Sequence, residues 1–139
     1  MKILIISDSH GNLIKVRELA VKYKDYIKIH LGDRGFDSSE LEKLGFIYVD
    51  GNCDLTQNIK LRIATIDNSR FLLTHGDLYN VRNTLNNLYY LAKENNCKYV
   101  LFGHTHISLK EEMDVVFINP GALKDNHYCL IENEEIKFF

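Results

Sequence analysis

Ile3-Leu4-Ile5-Ile6-Ser7-Asp8-Ser9-His10 opens with four consecutive apolar residues and then turns abruptly polar. Three of the four are β-branched. A short unbroken apolar run bounded by polar residues suits a strand buried on both faces, as in a parallel sheet covered by helices. The residues that follow agree with this. Asn12 can cap a helix that sets Leu13, Val16, Leu19, Ala20 and Tyr23 at helical spacing. Residues 26–31 read as a second strand. Ser39 and Glu42 have the capping-box spacing for a short helix that Gly45 closes, and residues 46–49 form a third strand. The order strand–helix–strand–helix–strand predicts a parallel α/β unit. Its polar clusters fall at the carboxyl ends of the strands, where open α/β sheets place their sites.

The rhythm then changes. Ile59, Leu61 and Ile63 alternate with Lys60, Arg62 and Ala64, the pattern of a half-exposed strand, and Asp67-Asn68-Ser69 turns into a strand over 70–74. The spacing of Leu85, Leu88, Leu91 and Ala92 predicts a helix over 81–96. Short strands are expected over 99–102, 115–118, 128–131 and 136–139, the last two joined near Asn133. The fold class expected is α/β, with two mixed sheets packed face to face and helices outside.

At 139 residues, with one proline and no linker, repeat or low-complexity tract, the chain is expected to form a single domain over 1–139. Its net charge of −2 provides no long-range pull toward nucleic acid or an anionic membrane, so no stable nucleic-acid complex is expected. There is no run of apolar residues long enough to span a bilayer, and the apolar start is too short for a secretory signal. Cys53, Cys97 and Cys129 are odd in number and widely spaced, which fits neither a disulfide framework nor a zinc motif and points to a cytoplasmic protein.

Function is concentrated in five polar clusters at the ends of apolar runs: Asp8-Ser9-His10, Gly32-Asp33, Gly51-Asn52, His75-Gly76 and Gly103-His104-Thr105-His106. Taken singly, each has a plain reading as a turn or a solvated strand end. Together they offer two carboxylates, four imidazoles and a carboxamide, all of them metal-ligand side chains. If the strand ends converge, the chain holds two divalent ions. Mixed imidazole and carboxylate ligands suit Mn²⁺ first, with Ni²⁺, Fe²⁺ or Zn²⁺ as alternatives. A carboxylate such as Asp33 can bridge two cations by giving one oxygen to each, and two such ions clamp a phosphoryl group. His30 lies inside a strand pattern and reads as a satisfied core or edge residue. His127 is assigned no role.

In this order the five motifs resemble the calcineurin-like metallophosphoesterase superfamily. The short length, the form Gly51-Asn52-Cys53-Asp54 and the late Asn119-Pro120-Gly121 are similar to its small prokaryotic phosphodiesterase branch. The resemblance implies a four-layer sandwich of two mixed β-sheets flanked by helices. It implies one metal held by Asp8, His10, Asp33 and His106, a second held by Asp33, Asn52, His75 and His104, and attack on phosphorus by a metal-bound hydroxide. On this reading Asp33, Asn52 and His75 are the catalytic set. The substrate is a small, possibly nucleotide-like phosphoester, and a homodimer is in keeping with the family.

Larger members of the family carry a histidine after Gly-Asn, which can protonate the leaving group. Here that position is Cys53, with an unperturbed thiol pKa of ~8.5, read either as a substrate contact or as packing. Asp54 reads as a turn cap or an orienting group. Arg34 reads as a substrate-phosphate contact or a solvated side chain. A second class of function is a binding module that kept the fold without catalysis, as the vacuolar-sorting retromer subunit of similar fold does. The seven intact candidate ligands favour an enzyme.

Overall fold

The computed structural model describes all 139 residues. Its first sheet is built on β1 (Lys2–Ile6), β2 (Ile27–His30) and β3 (Phe46–Tyr48), which run parallel. Helices α1 (Leu13–Lys22) and α2 (Ser38–Lys43) make the crossovers. The chain's last two strands, β9 (Cys129–Glu132) and β10 (Glu135–Phe138), extend this sheet as a hairpin, β9 antiparallel to β1 and β10 antiparallel to β9, giving the order β10-β9-β1-β2-β3.

The second sheet repeats the plan. Strands β5 (Ser69–Thr74), β6 (Tyr99–Leu101) and β8 (Val116–Asn119) are parallel, with β4 (Leu61–Ile66) and β7 (Leu109–Glu112) antiparallel at the edges, in the order β4-β5-β6-β8-β7. Helix α3 (Asn86–Glu94) covers its outer face.

The alternation of side chains along each strand explains the layers. Ile3, Ile5, Ile29, Phe71, Leu73, Leu101, Ile118 and Ile131 point inward and form the core between the sheets. Leu4 and Ile6 point the other way, onto Val16, Leu19 and Ala20 of α1. Leu72, Val100 and Phe117 do the same against Leu88 and Ala92 of α3. The strands are buried on both faces, which is why they read as continuous apolar runs. No helix of the chain is long and apolar enough to cross a membrane.

Three local expectations differ from the structure. The helix expected over 81–96 is only Asn86–Glu94. Asn80 adopts a left-handed φ of 57° and its carbonyl takes the N–H groups of Asn83 and Thr84, so residues before the helix are held in turns. Helix α2 is capped by Asp37, whose carboxylate accepts the Ser39 N–H, and not by a Ser39–Glu42 box. Glu42 instead accepts the Tyr48 hydroxyl at 2.8 Å. Strand β7 was not expected: its sequence Leu-Lys-Glu-Glu is mostly exposed, as suits an edge.

Candidate metal centre

All six parallel strands end at the same seam, and the candidate ligands follow those ends. Asp8 and His10 come after β1, Asp33 after β2, Asn52 after β3, His75 after β5, and His104 and His106 after β6. The structure brings Asp8, His10, Asp33, His75 and His106 within ligating distance of one another and sets His104, with Asn52 against it, beside His75. Asp8 Oδ1 lies 3.1 Å from His106 Nε2 and 3.6 Å from His10 Nε2, and the two imidazole nitrogens are 3.4 Å apart. Asp33 Oδ2 lies 3.1 Å from His75 Nε2 and 3.9 Å from His10 Nε2. Asn52 Oδ1 is 3.1 Å from His104 Nδ1, and the His75 and His104 rings meet edge-on.

These separations fit shared cations. Ligand atoms about 2.1 Å from one ion stand about 3.0–3.4 Å apart in octahedral or tetrahedral geometry. Asp8, His10 and His106 form one such group, and Asp8, Asp33 and His75 another.

Each carboxylate has one oxygen pinned and one left facing the imidazoles. Ser7 Oγ and the His104 N–H donate to Asp8 Oδ2 at 2.6 and 3.2 Å. The Cys53 N–H donates to Asp33 Oδ1 at 2.8 Å. Asp33 turns Oδ2 to His75 and, at 3.9 Å, to His10, while Asp8 is the carboxylate common to both groups. Gly51 and Gly103 permit this closeness: a Cβ on either would lie within 3.0 Å of the Asp33 or Asp8 carboxylate group. Five of the seven candidate ligands are strained into positive φ: Asp8 (54°), His10 (43°), Asp33 (57°), His104 (71°) and His106 (64°). Such conformations persist where surrounding structure over-determines them, and they gather at functional sites.

The test of metal fit is His75. Its Nδ1 donates to the Leu31 carbonyl at 2.7 Å, which leaves the Nε2 lone pair facing the site. His75 is fully buried, and Nε2 is the one buried side-chain N or O atom in the chain without a hydrogen-bond partner. It stands 3.1 Å from Asp33 Oδ2 but out of hydrogen-bonding alignment. An orphaned buried acceptor costs about 1–3 kcal/mol, and a cation between it and the carboxylates removes that cost. The residues present fit a metal.

Electrostatics agree. Burial would lower the His75 pKa, but Asp33 and Asp8 more than offset it and raise it. Burial would raise Asp33, but His75 and the Cys53 N–H hold its carboxyl below the usual range. Both shifts show that the cluster favours positive charge beside its carboxylates, which a cation would supply. Burial, then the charge of His75, pushes His104 down, toward the neutral ligand form.

The supporting groups were only partly foreseen. Asp54, expected as a cap or orienting group, is both. Its Oδ2 accepts the N–H groups of Gly51 and Asp33, at 2.7 and 2.9 Å, and Oδ1 accepts the Arg34 N–H at 2.9 Å. Arg34 is neither solvated nor free for a phosphate. Its side chain is 3% exposed and its guanidinium is held by Asp50 at 2.6 Å, so the substrate-contact reading of Arg34 is replaced by a structural one. Asp50, Ser7 and Asn119 were not singled out as functional. Asn119 Nδ2 donates to the Gly103 carbonyl and Thr105 Oγ1, both at 3.0 Å, and latches the His104–His106 turn. Its signal was the Asn-Pro-Gly motif after a buried strand. His30 is a satisfied core residue, with Nδ1 accepting the Gly32 N–H and Nε2 donating to Ser9 Oγ. Cys53 is exposed, which favours a substrate contact over packing, and partial desolvation of its thiol, then the nearby Asp33, raises its pKa.

A model of the calcineurin-like phosphoesterase superfamily domain matches residues 1–134. The chain belongs to that superfamily. Relatives of this metal-dependent phosphoesterase include the probable metallophosphoesterase YsnB of Bacillus subtilis, 34% identical over 128 residues that cover 89% of this chain and 76% of the relative. Phosphodiesterase MJ0936 of Methanocaldococcus jannaschii is 32% identical over 144 residues, covering 87% of this chain and 83% of the relative. Among solved structures, a Streptococcus pneumoniae protein described as a predicted phosphoesterase superposes with a TM-score of 0.89 at 26% identity, across 99% of this chain and 88% of that one. Vps29 of Chaetomium thermophilum shares the fold, with a TM-score of 0.77 at 18% identity across 99% of this chain and 86% of that one.

Proposed function

We propose that this chain, acting as one domain, hydrolyses phosphodiester bonds in small, nucleotide-like substrates with two divalent cations at the seam between its sheets. The observation that carries the reading is the buried, unpartnered Nε2 of His75 facing two carboxylates. Asp8, His10, Asp33 and His106 would hold one cation, and Asp33, Asn52, His75 and His104 the other. Bound there, the pair supplies Lewis-acid polarisation of a phosphoryl oxygen and an activated water.

The chain's own residues do the rest. His75, and then the Cys53 N–H on Oδ1, keep the Asp33 carboxylate ionised, with Oδ2 turned to His75 and His10. His75 holds its proton on Nδ1 against the Leu31 carbonyl, so Nε2 stays a lone pair. Asn52 is exposed and turns Oδ1 to His104, which leaves an amide N–H for a phosphoryl oxygen. The Cys53 thiol, raised in pKa, stays protonated at neutral pH and offers an S–H to the same oxygen.

The test is a metal-by-substrate matrix after chelation. Mn²⁺ should restore cleavage of bis-p-nitrophenyl phosphate better than Mg²⁺, because imidazole-rich sites discriminate against the harder ion. Full activity in excess chelator, with no metal by elemental analysis, would remove the reading. A scaffold role, which the fold shared with Vps29 raises, gives no reason for seven ligands to converge on one seam.

A further inference from the structure

Beside the metal centre a cavity of about 280 Å³ opens between two loops, residues 34–37 and 53–56. Each loop is tied to a candidate ligand. Gly35 has a φ of +80°, and a Cβ there would collide with the backbone of His10 and Gly11, so the first loop lies flat on the His10 turn. The second loop donates the Cys53 N–H to Asp33 Oδ1. The cavity and the ligand cluster therefore share their walls.

The polar lining is already committed. The Arg34 guanidinium is held by Asp50 at 2.6 Å and lies 3.4 Å from Asp54 Oδ2. Asp37 caps α2 through Ser39. One cation against two carboxylates in the lining gives an anion no foothold. The apolar lining is only partly committed, since Phe36 packs one side on the core and Leu55 packs on nothing. Phe36 is half-buried and edge-on to His30, with ring centroids 6.5 Å apart. Leu55 is 106% exposed, more open than any other large apolar residue in the chain. A leucine left in water contributes nothing to folding, whereas covering it would gain on the order of 25 cal/mol per Å².

We propose that this cavity receives one ester substituent of the phosphodiester, a flat and neutral group of aryl or nucleobase size. The inference rests on the phosphodiesterase reading and names the substrate class for the same site. The volume falls just below the roughly 300–1,000 Å³ that suits drug-sized ligands, and so fits one ring system. Phe36 and Leu55 supply apolar faces. Thr56 supplies a hydroxyl for the N–H edge of a base. A second phosphate in this position is repelled by Asp37 and Asp54, so the site selects diesters with a neutral arm over polyphosphates.

The test compares phenylphosphonate with methylphosphonate on the Mn²⁺-loaded protein by titration calorimetry. Both carry the same anionic head and differ only in the ring. Phenylphosphonate should bind ~10-fold or more tightly, and its larger amide shifts in NMR spectra should fall at residues 35–37 and 53–56. Leu55→Asp, which adds a carboxylate, and Thr56→Trp, which fills the space, should each bring the affinity ratio close to one. Both positions are exposed, and thermal melts verify that the variants fold. Equal affinities in the wild type, no binding of either probe, or a preference that survives both variants would overturn the proposal. A phenyl preference in a protein that cleaves no phosphodiester would uphold the cavity and refute the reaction. Diester cleavage without a phenyl preference would refute the cavity alone.

Discussion

Asp54→Asn isolates the group that joins the Gly32-Asp33 and Gly51-Asn52 turns. Asp54 is 5% exposed, and its two oxygens take three backbone N–H groups, those of Asp33, Arg34 and Gly51. An asparagine keeps one oxygen for Asp33 and Gly51, but its amide nitrogen then meets the Arg34 N–H donor to donor. One buried N–H is left unpaired, at about 1–3 kcal/mol, and the two remaining bonds lose the strengthening that an ionised acceptor gives. Together these lower the stability by roughly 2–4 kcal/mol, a large part of the ~5–15 kcal/mol of an ordinary domain. The Asp33 N–H then bonds a neutral amide oxygen in place of a carboxylate, and disturbing such an outer partner typically weakens metal binding ~10–100-fold. The assay pairs urea unfolding in chelator with Mn²⁺ calorimetry, and Asp50→Asn is the comparison. Asp50 contacts the Arg34 guanidinium and the N–H groups of Asn58 and Ile59, but no candidate ligand. It should lose stability and keep its Mn²⁺ affinity. Wild-type Mn²⁺ binding by Asp54→Asn, or equal weakening in both variants, would refute the reasoning.

Asp33→Ala should abolish turnover and lower metal content at both positions while the circular dichroism of the fold persists; retention of one full equivalent of metal with activity would contradict a shared Asp33. His30 predicts a pH dependence. Burial, reinforced by the charge of Arg34, pushes its pKa down from 6.5 to about 3. Between those values only the unfolded chain takes up the proton. Its contribution is therefore complete above pH 6.5 and is lost as the pH falls toward 3, by up to about 1.4 kcal/mol per pH unit. Urea midpoints in chelator should fall more steeply for wild type than for His30→Gln between pH 6.5 and 4.5; parallel curves would mean His30 is not held neutral. Cys53→His should raise cleavage of alkyl esters relative to nitrophenyl esters, by less than the ~10²–10⁴ of a well-placed general acid, because only Asp54 is near enough in sequence to orient it. An unchanged rate ratio with intact metal content would place position 53 away from the leaving group.

The sandwich was legible because its central strands are buried twice. Ile3–Ile6, Phe71–Leu73 and Tyr99–Leu101 present unbroken apolar runs, and a parallel sheet between helices is the arrangement that buries both faces. The elements that were misread are those whose local chemistry competes with periodicity. Asn80, Asn83 and Thr84 bond to one another and delay α3, although the leucine spacing starts earlier. Lys110, Glu111 and Glu112 of β7 carry no apolar alternation because an edge strand needs none. In the site, the seven convergent side chains were visible as motifs, since each follows a strand end. Their supports were not. Asp50 and Arg34 are ordinary charged residues in sequence, and only the pairing of β2 with β3 brings them into one buried ion pair. Which oxygen of Asp33 faces the imidazoles likewise depends on the Cys53 N–H, a contact across 20 residues of chain.

The division of the ligands between the two sheets has a mechanical consequence. β1, β2 and β3 bring both carboxylates, while β5 and β6 bring only imidazoles. The apolar contact between the sheets is non-directional and resists separation more than sliding. Cations held at the seam would act as rivets against that shear, and sheet alignment and metal occupancy would become a single coordinate. A substitution at the stacked pair Phe71 and Tyr99, which lie in the core between the sheets and touch no candidate ligand, would then reach the chemistry by letting the imidazoles of one sheet slip past the carboxylates of the other.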